Sequence, residues 1–559
     1  MTDYKSKIYE AVKGVLPVEF GDVAVADAFC DYCVPCFKLA KVMRKSPAII
    51  ASEAAAAVKV DGVSVTALNG YLNFTVDRSA RISDVMNARL GEYKPLSGKT
   101  VCIDYSSVNI AKPFHIGHLM TTVIGGSLHK IYQAVGAKVV GINHLGDFGT
   151  QFGGLISAYR KWGDEKDLEA RGLDALLELY VRFHKEEEEH PELADEARGW
   201  SKKIEDGDKY AVGLFDKFKA ITIEQAKRVY KRLNIEFDSY LGESFYVDKV
   251  GVVEDKLRAK NLLKMSDGAE IVELESGDEQ GSEKAEKMPP ALIRRSDGAS
   301  LYIARDLAAA YYRKATYDFY KCLYVVASHQ ALHFKQLFKV LELLGEEWAS
   351  DMVHVSYGMV SVEGMSLSTR RGNVLYLSDV LNAAVEKAAD IINERNPELT
   401  DKNTVAEAVG VGAVVFDALY DGRLKDKNFS LADALNFDGE TGPYVQYTHA
   451  RCRSVLAKAG YKPSKKIDAS VLATNEAYEV IKLLADFDEV VYNAAVKYEP
   501  SFVSRRLVKI CQAFNRFYNA DRIMCGGKEQ TARLELTARV ADALKYGLGL
   551  VLLSAPEKM

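Results

Sequence analysis

Between Val101 and Asn143 the chain reads as a strand, a helix and a second strand, and no other stretch narrows the possible folds as far. Val101-Cys102-Ile103-Asp104-Tyr105-Ser106 is a largely apolar run of strand length, as expected for a buried parallel strand. Ile124, Leu128, Ile131 and Val135 then recur at helical spacing up to Gly136, a helix stop. Lys138-Val139-Val140-Gly141-Ile142-Asn143 reads as the next strand. A crossover of this length implies a right-handed parallel unit, the start of a Rossmann-like sheet. The strand pattern returns at Ser300–Ile303, Cys322–Val326 and Met352–Val355, with a helix from Ala331 to Leu344, closed by Gly345, between the last two. An insertion at about 155–298 therefore splits the sheet. It carries a long helical stretch, Leu173 to Leu233, and a turn-rich hairpin region, Lys264 to Asp297.

Phe114-His115-Ile116-Gly117-His118-Leu119 stands where the first strand hands over to its helix. His115 and His118 are three apart and share one face. Free N–H groups and the positive helix end suit phosphate there, and two imidazole donors add to them. Gly117 lets a flat group such as a purine lie against bare backbone. The same pair also fits surface histidines, or half of a metal site completed by His129 or His144.

At 559 residues the chain is too long for one core. Residues 1–98 read as an α+β domain, helical through Phe37–Val58 and strand-like at Val63–Val65 and Tyr71–Phe74, with a boundary at Pro95 and Gly98. Residues 99–376 form the α/β domain, and beyond Leu377 helical spacing implies an all-α domain, 377–559. Hydrophobic content of 48% and charged content of 27% fit a soluble globular protein. No apolar run reaches the length of a membrane span and the first residues lack a signal-peptide core, so a cytoplasmic location is expected.

Cys30, Cys33 and Cys36 are spaced for an iron–sulfur cluster or zinc, but lack a nearby fourth ligand; packing residues are the alternative, and no metal site is expected. A net charge of −5 advertises no nucleic-acid partner globally. Arg451, Arg453, Lys458, Lys462, Lys465 and Lys466 nevertheless cluster, as either a phosphate track or an ordinary solvated face.

The stretch Gly364-Met365-Ser366-Leu367-Ser368-Thr369-Arg370-Arg371-Gly372-Asn373 adds hydroxyls, two cations and flanking glycines, a composition able to wrap a triphosphate. With the strand-to-helix histidines, it resembles the two signatures of class I aminoacyl-tRNA synthetases. The resemblance narrows to arginyl-tRNA synthetases on further blocks: Ser106 to Pro113, Asn143 to Gly153, Tyr302 to Asp306, Gln330 to Phe334, and Thr441 to Tyr447.

That resemblance implies a split Rossmann-like catalytic domain, an N-terminal tRNA-contacting domain and a helical anticodon-binding domain. It implies ATP, L-arginine and tRNA(Arg) as partners, with Mg²⁺ carried by the nucleotide; nothing in the sequence itself demands a second chain, and a monomer is expected. Asp104, Asn109, Tyr302, Asp306 and Gln330 would bind arginine. A carboxylate opposite the planar guanidinium fork is the chemical requirement, and Asp306 is the first choice. Spacing alone also allows Asp306 as a helix N-cap. His115, Gly117, His118, Ser368, Thr369, Arg370 and Arg371 would hold ATP, with His115, His118, Lys112 and Arg370 catalytic. Tyr444, Tyr447, Arg451 and Arg453 would meet tRNA, although helix packing equally suits the tyrosines.

The signature loop departs from the class pattern: it aligns as Ser366-Leu367-Ser368-Thr369-Arg370, with neither of the two usual lysines and Ser at the first position. Arg370, Arg371 or Lys112 would replace the missing charge. Met120 stands where the family commonly has Arg. A catalytically silent tRNA or amino-acid binder, and a class I enzyme for cysteine or glutamine, are the competing readings.

Overall fold

The parallel unit expected between residues 101 and 143 is present. In a computed structural model describing residues 4–26, 30–112, 114–274, 288–295, 301–362, 376–464 and 467–559, β1 (Thr100–Asp104) is followed by α1 (Leu119–Ala134) and β2 (Lys138–Ile142). After the insertion come α2 (Tyr302–Tyr317), β3 (Lys321–Tyr324), α3 (Ala331–Leu343) and β4 (Met352–His354). The four strands are parallel in the order β4-β3-β1-β2, with Leu323 beside both Ile103 and Val353, and Cys102 beside Val140. The order reverses between β1 and β3. In open α/β sheets the crevice beyond the carboxyl ends of such strands is where ligands bind.

One expected strand is a helix. Tyr302 and Ile303, read with Ser300 as the returning sheet, begin α2; Ser300 lies outside the described residues. β-favouring Tyr and Ile give way to the Ala-rich continuation, which lets Ile303, Leu307 and Ala310 bury one face against Leu257, Leu337 and Leu341. Asp306 is thus the fifth residue of a helix, neither at a strand end nor an N-cap; Leu301 caps α2.

The insertion contributes helices Thr150–Trp162, Leu173–Glu189, Glu192–Glu205 and Lys209–Arg232, then a three-stranded antiparallel sheet of Leu263–Ser266, Ala269–Val272 and Ala291–Arg294. Gly153 belongs to this packing. A Cβ there would lie 1.8 Å from the Ala197 carbonyl oxygen, so only glycine lets the first and third of those helices approach so closely.

The chain divides into two compact units, neither continuous in sequence: Met1–Glu92 with Thr448–Glu489 and Arg506–Tyr546, and Tyr93–Tyr447 with Val490–Arg505 and Gly547–Met559. In the first, an antiparallel sheet ordered Ala24–Val25, Tyr32–Pro35, Tyr71–Val76, Val63–Leu68 packs with helices Tyr4–Lys13, Pro47–Ala57 and Arg78–Asn87. Arg78 Nη1 donates to the Ala473 carbonyl (2.9 Å) and Arg539 Nη1 to that of Ala88 (2.7 Å), joining N-terminal residues to helices from far along the chain. Cys36 is buried in the core beside Val34 and Leu72. Among the described residues no group of three or more His, Cys, Asp or Glu side chains could hold a metal ion, and no helix is long and apolar enough to cross a membrane.

Beyond Leu377 the only strand among the described residues is Lys427–Phe429. That short strand pairs in parallel with Val360–Val362, the last described residues before the signature loop.

Candidate functional site

After β1 the backbone turns sharply. Ser106, Ser107 and Ala111 all have positive φ, at 69°, 48° and 57°, a conformation costly for residues with a Cβ and concentrated at functional sites in general. The insertion helix Lys209–Arg232 holds this turn. The Tyr230 hydroxyl lies 2.8 Å from Ser106 Oγ and accepts from Asn143 Nδ2 at 2.8 Å, and Thr222 Oγ1 accepts from the Ala111 amide at 3.1 Å. Gly146 leaves space for Asn109, whose Oδ1 would be 2.1 Å from a Cβ at that position.

The two histidines follow in a short 3₁₀ turn, Ile116–His118, that leads into α1. Their rings lie 3.9 Å apart between centroids. His115 Nδ1 accepts from the Gly117 amide (3.1 Å) and His118 Nδ1 from the His115 amide (3.3 Å). With both Nδ1 atoms accepting, each neutral ring carries its proton on Nε2. A Cβ on Gly117 would sit 2.8 Å from the His115 ring, so glycine here preserves the ring's own position.

Burial, reinforced by the neighbouring His115, pushes His118 down to about 3, and burial with Lys112 nearby lowers His115. The pair therefore presents neutral N–H donors near neutral pH. The folded state resists protonation of His118, whereas an unfolded imidazole takes a proton near 6.5; His129, lowered to about 4 by burial, behaves alike. The stability these neutral rings contribute is complete above pH 6.5 and is lost progressively as pH falls toward 3. The urea midpoint should accordingly drop between about pH 7 and pH 5, and drop less in His118→Gln.

A chain of charged groups crosses the carboxyl ends of β1, β2 and β3. Asp104 Oδ2 receives Arg313 Nη2 at 2.7 Å and its Oδ1 receives Ser107 Oγ at 2.9 Å. The same Arg313 nitrogen lies 3.3 Å from His144 Nδ1. His144 Nε2 faces Asp306 Oδ1 at 3.8 Å, and Asp306 Oδ2 takes His333 Nε2 at 2.7 Å. Arg313 is 1% exposed, while Asp306 and His333 keep about a quarter of their side-chain surface, enough for a small ligand to reach them. Burial alone would raise Asp306, but the hydrogen bond and charge of His333 outweigh it and hold the carboxyl low. Burial alone would lower His333, and Asp306 reverses that too.

Two other acids line the region. Arg305 pairs with Glu243 at 3.0 Å, yet burial pushes Glu243 up to about 7. Asp147, fully buried, takes Lys219 Nζ at 2.6 Å and both the amide and hydroxyl of Ser244 at 2.8 Å, which ties the insertion to the end of β2.

Of the residues expected to bind the amino acid, Asp104 and Asp306 belong to one connected network, and Asn109 stands beside the end of β2 through its bridge with Gly146. Tyr302 is 61% exposed, and Gln330, just before α3, is also exposed. Ser368, Thr369, Arg370 and Arg371 lie outside the described residues, as do Lys465 and Lys466. The chain re-enters beside the histidines, where Tyr376 pairs antiparallel with His115 and the Leu377 amide donates to Phe114 O at 2.9 Å. Lys112 Nζ lies 5.8 Å from the Tyr180 ring centroid. On helix Gly442–Lys458, Tyr447 is 40% exposed, Tyr444 is half-buried, and Arg451 donates to Asn515 Oδ1 at 3.1 Å; Arg453 is half-buried.

Sequence reasoning named neither His333 nor Arg313 as a site residue, and His144 only as a possible completion of a metal site. The two histidines fall inside the motif blocks Gln330–Phe334 and Asn143–Gly153, which was a usable signal. Arg313 follows Asp306 by seven residues, on the same helix face, and that register was the only hint.

Three family models match along the chain. Residues 82–431 match the model for "tRNA synthetases class I (R), catalytic domain", 445–559 that for "DALR anticodon binding domain", and 2–76 that for "Arginyl tRNA synthetase N terminal domain". The arginine–tRNA ligase of Clostridioides difficile is 49% identical over 538 residues, covering 95% of this chain and 94% of its own. That of Alkaliphilus metalliredigens is 46% identical, with 100% of both chains covered. Among solved structures, Thermus thermophilus arginyl-tRNA synthetase superposes with a TM-score of 0.85 at 25% identity, covering 100% of this chain and 99% of that one.

Proposed function

The chain belongs to the class I arginyl-tRNA synthetases and is an arginine–tRNA ligase that consumes ATP, and from that premise we propose which of its side chains carry each part of the reaction. Arginine's carboxylate attacks the α-phosphorus of ATP and expels pyrophosphate; the arginyl group then passes to the terminal ribose of tRNA(Arg). Such a displacement needs positioning and charge stabilisation more than a strong base. Neutral His115 and His118 donate from Nε2 to the phosphate oxygens, and Gly117 keeps their spacing. Lys112 supplies positive charge beside them, joined by Ser368, Thr369, Arg370 and Arg371 of the signature loop. Mg²⁺ enters on the nucleotide's own phosphates.

Asp306 receives the arginine guanidinium. Asp104 and Asn109 orient the α-amino and carboxylate end, Asp104 acting while held by Arg313 and Ser107. Tyr302 and Gln330 cover the pocket from its exposed side. Tyr444, Tyr447, Arg451 and Arg453 contact tRNA, as does the domain at 1–98, and the helical domain at 377–559 takes the anticodon arm. The chain works in the cytoplasm as a monomer.

The observation that carries this reading is the pair of Nε2–H donors set at the start of α1, across from a carboxylate on α2 at the neighbouring strand ends. His118→Ala is expected to lower kcat for arginylation of tRNA about a hundredfold while arginine still binds. Unchanged kcat would remove the histidines from the phosphate site.

A further inference from the structure

The insertion helix Lys209–Arg232 reaches the histidine turn through one buried side chain. Tyr230 is 1% exposed, and its ring stands edge-on to Phe114, which in turn lies against His118 (centroids 5.6 and 5.2 Å apart). The Tyr230 oxygen accepts from Asn143 Nδ2, just past the end of β2, and lies 2.8 Å from Ser106 Oγ. Ser106 Oγ lies 2.9 Å from Thr122 Oγ1, and Thr122 Oγ1 donates to the His118 carbonyl at 2.7 Å. Each hydroxyl carries one proton and a carbonyl can only accept, so all these contacts are satisfied together in a single sense, running from Tyr230 to His118. Ser106 and Thr122 are as buried as Tyr230, so bulk water does not compete for the chain.

The chain grips a turn that needs holding. Ser106, Ser107 and Ala111 all occupy the left-handed region, which is costly for a residue with a Cβ and persists only where the surroundings over-determine it. The Ser106 amide donates to Thr121 Oγ1 (3.0 Å), and Thr121 Oγ1 donates to Val325 O (2.6 Å). Thr222, on the same helix as Tyr230, takes the Ala111 amide. Asn109 and Lys112 are carried by this turn, and His115 and His118 follow directly. One hydroxyl therefore ties the side chain at the start of the turn to the backbone of His118 beyond its end.

We propose that the Tyr230 hydroxyl is a positioning group for arginine activation: through Ser106 and Thr122 it fixes Asn109, on the amino-acid side, and His118, on the phosphate side, in one mutual arrangement. Tyr230 touches neither substrate. Its loss leaves both binding surfaces in place but no longer held at the spacing that in-line attack requires, so kcat falls while each KM moves little. The proposal rests on the assignment of Asn109 to arginine and of His118 to ATP.

Tyr230→Phe removes one oxygen and keeps both ring contacts. Initial rates of tRNA charging, measured where the variant is fully folded, should show kcat lowered about tenfold with the KM for arginine and for ATP within about threefold of wild type. Thr122→Val breaks the same chain further along and should act alike, so either variant carries the test if the other fails to fold. The double variant should lose about tenfold, not a hundredfold, because the chain is broken only once. Tyr311→Phe deletes a hydroxyl bonded to Glu346 at 2.7 Å elsewhere in the same domain; it should lower the urea midpoint and leave kcat near wild type. Wild-type kcat in Tyr230→Phe, or a hundredfold loss in the double variant, would overturn the positioning role. So would a matching loss of kcat in Tyr311→Phe, since any missing hydroxyl would then do. His118→Ala separates the premise from the proposal: unchanged kcat there removes the assignment of His118, whereas a loss there beside an active Tyr230→Phe overturns the role of Tyr230 alone.

Discussion

Replacing Asp306 by Asn is expected to lower kcat/KM for arginine by about 10²–10³-fold while the KM for ATP moves far less. Removing one member of a desolvated charge pair costs about 3–5 kcal/mol, and each 1.4 kcal/mol is tenfold. The estimate sits at the lower end because the carboxylate keeps 26% of its surface exposed, where solvent screens part of the interaction. Asn preserves the shape and one acceptor, so the loss isolates the charge. Initial rates of tRNA charging over a range of arginine concentrations measure it. A loss below about fivefold would show that another acid, such as Glu243, takes the guanidinium.

Arg313→Met is expected to destabilise the fold by about 3–5 kcal/mol, read from the denaturant midpoint. Arg313 and Asp104 are 1% and 8% exposed, so the substitution strands a carboxylate in the sheet's interior. Most of the penalty belongs to the charge left behind rather than to the bond removed. The double variant Arg313→Met, Asp104→Asn should therefore lose much less than the two single losses added together. Additive losses, or a single-variant effect below about 1 kcal/mol, would mean that water reaches the pair and that it does not hold α2 against β1.

The catalytic sheet was legible because its signals are local. Val101–Ser106, Lys138–Asn143 and Cys322–Val326 are apolar runs of strand length, and Gly136 and Gly345, both with positive φ, end the helices between them. Tyr302–Ile303 misled because two β-favouring residues were weighed without the helical face that Ile303, Leu307 and Ala310 share. That His115 and His118 stand together could be read in advance because strand, turn and helix place them in one short segment. The cluster around Asp306 could be read only in part. Asp306 meets His144 and His333 across three separated segments, and no periodicity announces a hydrogen bond between residues 27 positions apart. The joining of N-terminal residues to helices some 400 positions later, through Arg78 and Arg539, is equally silent in sequence, since it depends on tertiary packing alone.

The most direct test of the account is a crystal structure with a non-hydrolysable arginyl-adenylate analogue. The account places the guanidinium on both oxygens of Asp306 and the phosphate within hydrogen-bonding distance of Nε2 of His115 or His118. A guanidinium seated on Glu243 or Asp147 would contradict it.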